Sequence, residues 1–246
     1  MRPQGPTVNL RPHPSARTDT VIGLAVILYT ILLAALPQVL ETAAFKQAFS
    51  EDGPFEQLSV LGWLLAAATV LARVRPLNKV ATAFALLFLV FAAREADWHK
   101  AFTHGSLLSL KYYWRAVAPI GEKLLAGLAA GAVVALIVYT GIQIVKYLFI
   151  RRGWRKRAGF WLLLASALVV LGKLLDRAPA VLGEDYHVVL SPLARLYTQA
   201  FEEGYEMLHP LLMARAMWLG QTQGLFNRFR SAPARLPAQA ASGTVG

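Results

Sequence analysis

Residues 196–219 read LYTQAFEEGYEMLHPLLMARAMWL, and the number of membrane crossings turns on them. The second half, LLMARAMWL, is membrane-like, whereas the first half carries Glu202, Glu203, Glu206 and His209. Five other stretches are plainly apolar: Val21 to Leu40, Phe55 to Leu71, Val80 to Ala93, Leu124 to Ile150 and Phe160 to Leu175. Each, with its flanks, suits a helix through a hydrocarbon layer about 30 Å thick. Of the 246 residues 56% are hydrophobic and 16% charged, too apolar for an ordinary soluble domain and far too apolar for a disordered chain. The absence of cysteine excludes a disulfide scaffold, a thiolate metal site and a cysteine nucleophile.

Counting 196–219 as a sixth span sorts the charges. One side receives the N-terminal tail, the second-to-third loop, the segment 146–157 (KYLFIRRGWRKR), Arg215 and the C-terminal tail. It holds 16 of the Lys and Arg residues against one acid, Asp19. The other side holds 9 basic residues and 13 acids. That asymmetry obeys the positive-inside rule and predicts an inner-membrane, multi-pass protein with both termini cytoplasmic. Without a sixth span, Arg228, Arg230 and Arg235 would fall outside and the pattern would weaken. The net charge of +11 therefore does not imply nucleic-acid binding. Basic loops beside apolar spans imply contact with anionic lipid, above all at 146–157.

The expected organisation is all-helical: a disordered tail over 1–19, a six-helix transmembrane domain over 20–220, and a mostly disordered tail over 221–246. The first span reads as a signal anchor, because its apolar run exceeds the roughly 7–15 residues of a cleaved signal. Between spans three and four, LLSLKYYWRAVAP predicts an interfacial helix, since Tyr and Trp favour the headgroup layer. Gly127 and Gly131 make a small-residue face suited to a neighbouring helix or a second protomer.

The carboxylates gather on the outer side. Glu51 and Asp52 precede span two and Glu56 opens it, as Glu122 opens span four; acids in a first turn also interact favourably with the helix dipole. Glu95 and Asp97 end span three, where the dipole opposes them, so they need compensation. Glu95 and His99 lie four apart and would share a face if the helix continued; Arg94 could form a structural ion pair with a carboxylate of another span. In span six Glu202, Glu206 and His209 fall at i, i+4 and i+7, on one face. Counted from Trp218, Glu206 lies about 18 Å along the helix, inside the hydrocarbon, where a carboxylate must be paired, protonated or hydrated. Glu206 and His209 have the E-x-x-H spacing of helical di-metal sites, in a single copy. Pro210 should kink the helix and open its carbonyls to the same cavity. There is no G-x-S-x-G elbow, H-E-x-x-H helix or Walker loop.

The run Glu51-Asp52-Gly53 with Glu56, followed by Arg94-Glu95-Ala96-Asp97-Trp98-His99, resembles a group of uncharacterised bacterial multispanning inner-membrane proteins. These carry an E-D-G-x-x-E segment and an acidic E-x-x-W-[GH] segment in the same order. The resemblance covers about residues 50–100, with Glu202-Glu203-x-x-Glu206 as a third element. It implies that these acids lie together; no activity is established for the group. The alkaline-ceramidase type of membrane hydrolase is excluded by the missing H-x-x-x-H pair.

The leading expectation is an outer-leaflet site for a divalent metal ion of unknown identity. Its ligands would be Glu56, His99, Glu206 and His209, and its catalytic carboxylates Glu95, Glu202 and Glu206. It would act on a lipid-like substrate through metal-activated water. Two rivals use the same residues: a proton- or cation-coupled transporter, and a non-catalytic assembly or interaction subunit.

Overall fold

The computed structural model describes residues 14–50, 53–98, 109–115 and 118–226, and the described elements are all helical. In order they are α1 (Pro14–Val39), α2 (Thr42–Ala48), α3 (Pro54–Arg73), α4 (Lys79–Glu95), α5 (Leu110–Arg115), α6 (Ile120–Val145), α7 (Arg157–Glu184) and α8 (Pro192–Gln223). One π turn, Lys146–Ile150, extends α6, and a 3-10 turn, Gly153–Arg155, leads into α7.

Among the described residues four helices are long and apolar enough to cross a membrane: Arg17–Val39, Pro54–Arg73, Ile120–Ile150 and Arg157–Glu184. Their large side chains face outward, with Leu28, Leu61, Leu128 and Leu174 all more than half exposed. An aqueous fold would hide such a surface; hydrocarbon accepts it. The two remaining long helices differ for separate reasons. α4 has 17 residues, a rise of about 26 Å. α8 is long but carries its acids in mid-helix.

α8 is the hub, packing along α7, α3 and α1, while α4 packs on α3 and α6. Side-chain pairs give the directions. Asp19 meets Arg215, Tyr29 donates to the Gly204 carbonyl at 2.9 Å, and Gln38 bonds Tyr197, so α1 and α8 are antiparallel. Ser59 lies beside Glu206, Gly62 beside Pro210 and Arg73 over Trp218, so α3 and α8 are parallel. The centre of the sequence's most polar span is thus shielded by three other helices, which is how an apolar bundle tolerates it.

Two glycines set close approaches of the long helices to α8. A Cβ on Gly204 would stand 2.4 Å from Leu33 Cδ1, and one on Gly62 2.7 Å from Pro210 Cγ. Pro210 does not break α8, which runs on through it as one helix. Proline removes the N–H that the Glu206 carbonyl would accept; Ser59 Oγ donates to that carbonyl instead, in a long contact of 3.4 Å. The expected opening of carbonyls to a cavity is replaced by this cross-helix bond.

At the other end Asp19 joins three helices. Arg215 Nε and Nη2 donate to its Oδ1 at 3.0 and 2.6 Å, Trp161 Nε1 donates to the same oxygen at 3.0 Å, and Arg157 pairs with Oδ2. The C-terminus of α8 is held nearby. Lys156 Nζ donates to the Gln223 carbonyl at 2.8 Å, and Arg151 donates to that of Gly224, cations suiting a helix's negative end. Charge therefore segregates to opposite ends of the bundle, as the sequence predicts.

Several boundaries differ. α7 continues nine residues beyond Leu175, carrying Asp176, Arg177 and Pro179 inside a helix. α2, absent from the sequence expectation, fills the connection between α1 and α3, its Phe45 stacked on Phe49 and Phe49 on Phe55. α1 starts at Pro14 rather than near residue 20, and Leu225 and Phe226, expected in a disordered tail, are buried in the core.

Candidate functional site

α4 and α7 do not pack along each other, and the gap between them is a crevice floored by α8 and α3. Its volume is about 110 Å³. Trp63 comes from α3, Phe91, Arg94 and Glu95 from α4, Leu168, Val169, Gly172 and Lys173 from α7, and Tyr205, Glu206 and His209 from α8. Gly172 keeps the α7 wall bare, with no atom near its missing Cβ. Polar and apolar linings separate: four charged side chains sit toward the acidic end, and aromatic and aliphatic groups lie below them.

Lys173 Nζ donates to Glu206 Oε1 at 3.0 Å, with the two side chains 52% and 29% exposed, and stands 3.9 Å from Asp176. Arg94 Nη1 lies 3.3 Å from Glu95 Oε1. The His209 ring meets Trp63 edge-on, centroids 4.9 Å apart, and Trp63 also leans on Phe91 at 4.8 Å. Aromatic packing thus fixes the imidazole. Its Nε2 is buried with no hydrogen-bond partner among the described residues. Such an orphan is uncommon in a packed interior and calls for an explanation.

The expected residues divide. Glu95, Glu206, His209 and Arg94 line this crevice. Glu95 also lines a second crevice of about 380 Å³ between α3 and α4, together with Glu56 and Asp97. Glu56 and His209 thus line different crevices, which share Glu95. Glu202, half-buried one turn before Glu206, has Asp176, Glu206 and Lys173 as electrostatic neighbours. Glu203 neighbours Glu56, Glu95, Glu202 and Glu206. α4 ends at Glu95 and Asp97 turns left-handed with φ 52°, so the helical register that would align Glu95 with His99 stops short; His99 lies outside the described residues, as do Glu51 and Asp52. Among the described residues Arg94 pairs with Glu95 of its own helix, and the expected partner on another helix is not seen there. Among the described residues no three His, Asp or Glu side chains are placed to hold one metal ion.

Sequence reasoning passes over Lys173. The signal is present: a lone lysine in FWLLLASALVVLGKLL needs a partner in an apolar span. Its partner cannot be named without knowing which face of α7 meets α8.

Above α4, Tyr112 of α5 donates to Glu122 Oε1 at 2.6 Å and ties α5 to the first turn of α6. That bond pushes the Tyr112 phenol up to about 12. Trp114, on the same short helix, is exposed. On α6 nothing lies near a Cβ added at Gly131, and only Tyr113 approaches Gly127.

No protein-family model matches the chain, and neither a curated protein nor a solved structure matches it, so the likeness over residues 50–100 rests on its motifs alone.

Proposed function

We propose that the chain crosses an inner membrane six times, with both termini cytoplasmic, and that the α4–α7 crevice binds and chemically modifies a lipid-like molecule in the outer leaflet. The segregation of basic and acidic ends supports the orientation. α4 and α8 complete the six crossings, α8 shielded by its neighbours. Segment 146–157 then lies against anionic cytoplasmic lipid, and the open Gly127/Gly131 face of α6 is the surface for a second protomer.

The observation that carries the functional reading is the crevice: charged at one end, aromatic at the other, and lined by His209, whose buried Nε2 has no partner among the described residues. Ligand sites are concave and mostly apolar, with a few convergent polar groups. This one lies between two helices whose outer faces are apolar, where an amphiphile can enter sideways. Glu206 and His209 serve as acid and base, with Glu95 and Glu202 supporting. A divalent cation would activate water. It would have to displace the Lys173 ammonium from Glu206 and recruit Glu56 or His99, so direct acid–base chemistry is the better-supported version. Transport is less favoured. Between His209 and Arg215 the residues of α8 are Pro, Leu, Leu, Met and Ala, which offer no titratable step toward Asp19.

The test is lipid turnover by purified protein in vesicles, with metal content measured on the same sample. Glu206→Gln should lower turnover at least about 100-fold, the lower range for loss of a general acid or base, with the metal content of both proteins near zero. Unchanged turnover would refute the assignment, and stoichiometric metal lost in the variant would restore the metal-dependent version.

A further inference from the structure

Among the side chains that line the crevice the charges balance, while Asp176 and Glu202 stand beside the lining rather than in it. Lys173 and Arg94 bring two cations, Glu95 and Glu206 two carboxylates, contributed by α7, α4 and α8. The Lys173–Glu206 pair at 3.0 Å bridges the α7 wall to the α8 floor, so a headgroup entering between α4 and α7 meets both partners. Separating them without replacement leaves the Glu206 carboxylate unpaired in the slot and Lys173 with only its 3.9 Å contact to Asp176, which is unfavourable. A ligand carrying only negative charge would satisfy Lys173 and Arg94 but confront Glu95 and Glu206. A ligand carrying only positive charge has the mirror problem. An uncharged head satisfies neither.

On the reading that the crevice holds a lipid-like molecule, we propose that it selects a zwitterionic phospholipid head, with the phosphate taken by Lys173 and Arg94 and the ammonium by Glu206 and Glu95. The Lys173–Glu206 and Arg94–Glu95 pairs are exchanged for contacts to the phosphate and the ammonium, and no charge is left alone. Lys173 can make the exchange: its side chain is half exposed on a flexible stem, and only the ammonium needs to swing. Glu206, released, faces the slot beside the aromatic ring of Phe91, whose face also attracts an ammonium. Below this level His209 Nε2, without a partner among the described residues, is left for the polar linkage between head and acyl chains. Leu168 and Val169 line the apolar part and receive the chains, which favours a bilayer lipid over its water-soluble head.

The experiment uses the full chain in nanodiscs containing trace lipids with a photoactivatable acyl chain. The lipids share their chains and differ in head: phosphoethanolamine, phosphoglycerol, bare phosphate, or the uncharged diacylglycerol. Cross-links are mapped by mass spectrometry to peptides containing Trp63, Phe91 and Leu168. The phosphoethanolamine lipid should label these peptides about ten-fold more than the others, corresponding to about 1.4 kcal/mol of selectivity. The double variant Lys173→Gln with Glu206→Gln removes the pair without stranding a charge; it should lose the preference, so that all four heads label alike. Equal labelling by every head, or preference for an anionic one, overturns the zwitterion proposal while the lipid-site reading stands. No crevice labelling by any lipid overturns both. Labelling abolished by millimolar soluble phosphoethanolamine assigns the head chemistry to a free metabolite and overturns the choice of a bilayer lipid.

Discussion

Asp19→Asn should loosen α1 from the bundle, and the size of the effect follows from the bonds around it. The carboxylate accepts two donors from Arg215, one from Trp161 and a pairing from Arg157. Asp19 and Arg215 are 18% and 14% exposed at their side chains, so the pair is mostly shielded; Arg157, 35% exposed, adds less because water screens it. Asparagine keeps the shape but presents an N–H₂ and a neutral oxygen to two guanidiniums. Removing one partner of a buried pair costs about 3–5 kcal/mol. Allowing for partial exposure, about 2–3 kcal/mol is expected, within the range of one or two charge-assisted hydrogen bonds. The assay is equilibrium unfolding in mixed micelles for Asp19→Asn, Arg215→Gln and the double variant. The double variant should lose markedly less than the sum of the singles, since it strands no charge in the pair. Strict additivity, or a loss below about 0.5 kcal/mol for Asp19→Asn, which is typical of an ordinary surface change, would refute the tether.

His209→Leu should leave the fold intact or stabilise it by about 1 kcal/mol, because it removes an unsatisfied buried atom, while abolishing lipid turnover; destabilisation beyond about 1 kcal/mol in the same unfolding assay would mean the imidazole has a structural partner. Gly204→Val should cost about 1–3 kcal/mol by driving a side chain into Leu33 where α1 crosses α8, and Leu33→Ala in the same protein should recover part of it. The Tyr112–Glu122 bond needs the phenol proton. With its pKa raised from the ordinary value of 10 to about 12, the bond's contribution is whole below pH 10 and is lost as pH rises through 12. A spectrophotometric titration of tyrosinate, compared with Tyr112→Phe, should remove one late-titrating group; loss of an early one would contradict the bond.

The charge asymmetry is legible in the sequence because it is a matter of local composition. Asp19 stands out there as the lone acid among the basic segments, and the acids from Glu56 to Glu206 do gather at the opposite end of the bundle. The E-x-x-H face of α8 is legible too, since helical spacing alone puts Glu206 and His209 on one side. Lys173 is visible but mute. α7 is apolar around most of its circumference, so its pattern does not say which face turns inward, and no rule of spacing links residue 173 to residue 206. Likewise Glu56 and His209 can be assigned to one acidic region but not to different crevices.

Composition and periodicity alone determined that the chain is helical, that it has apolar helices of membrane length, and the sign of charge at each end of the bundle, because transfer of each side chain into or out of hydrocarbon depends on its own chemistry and little on distant residues. Which helix stands at the centre, which cation neutralises Glu206, and that an imidazole nitrogen is buried without a partner among the described residues were decided by the tertiary packing. Those follow from the rotation of each helix about its axis, set where Gly62 admits Pro210 and Gly204 admits Leu33. Contacts of that kind depend on two distant segments at once, and only the folded bundle brings them together.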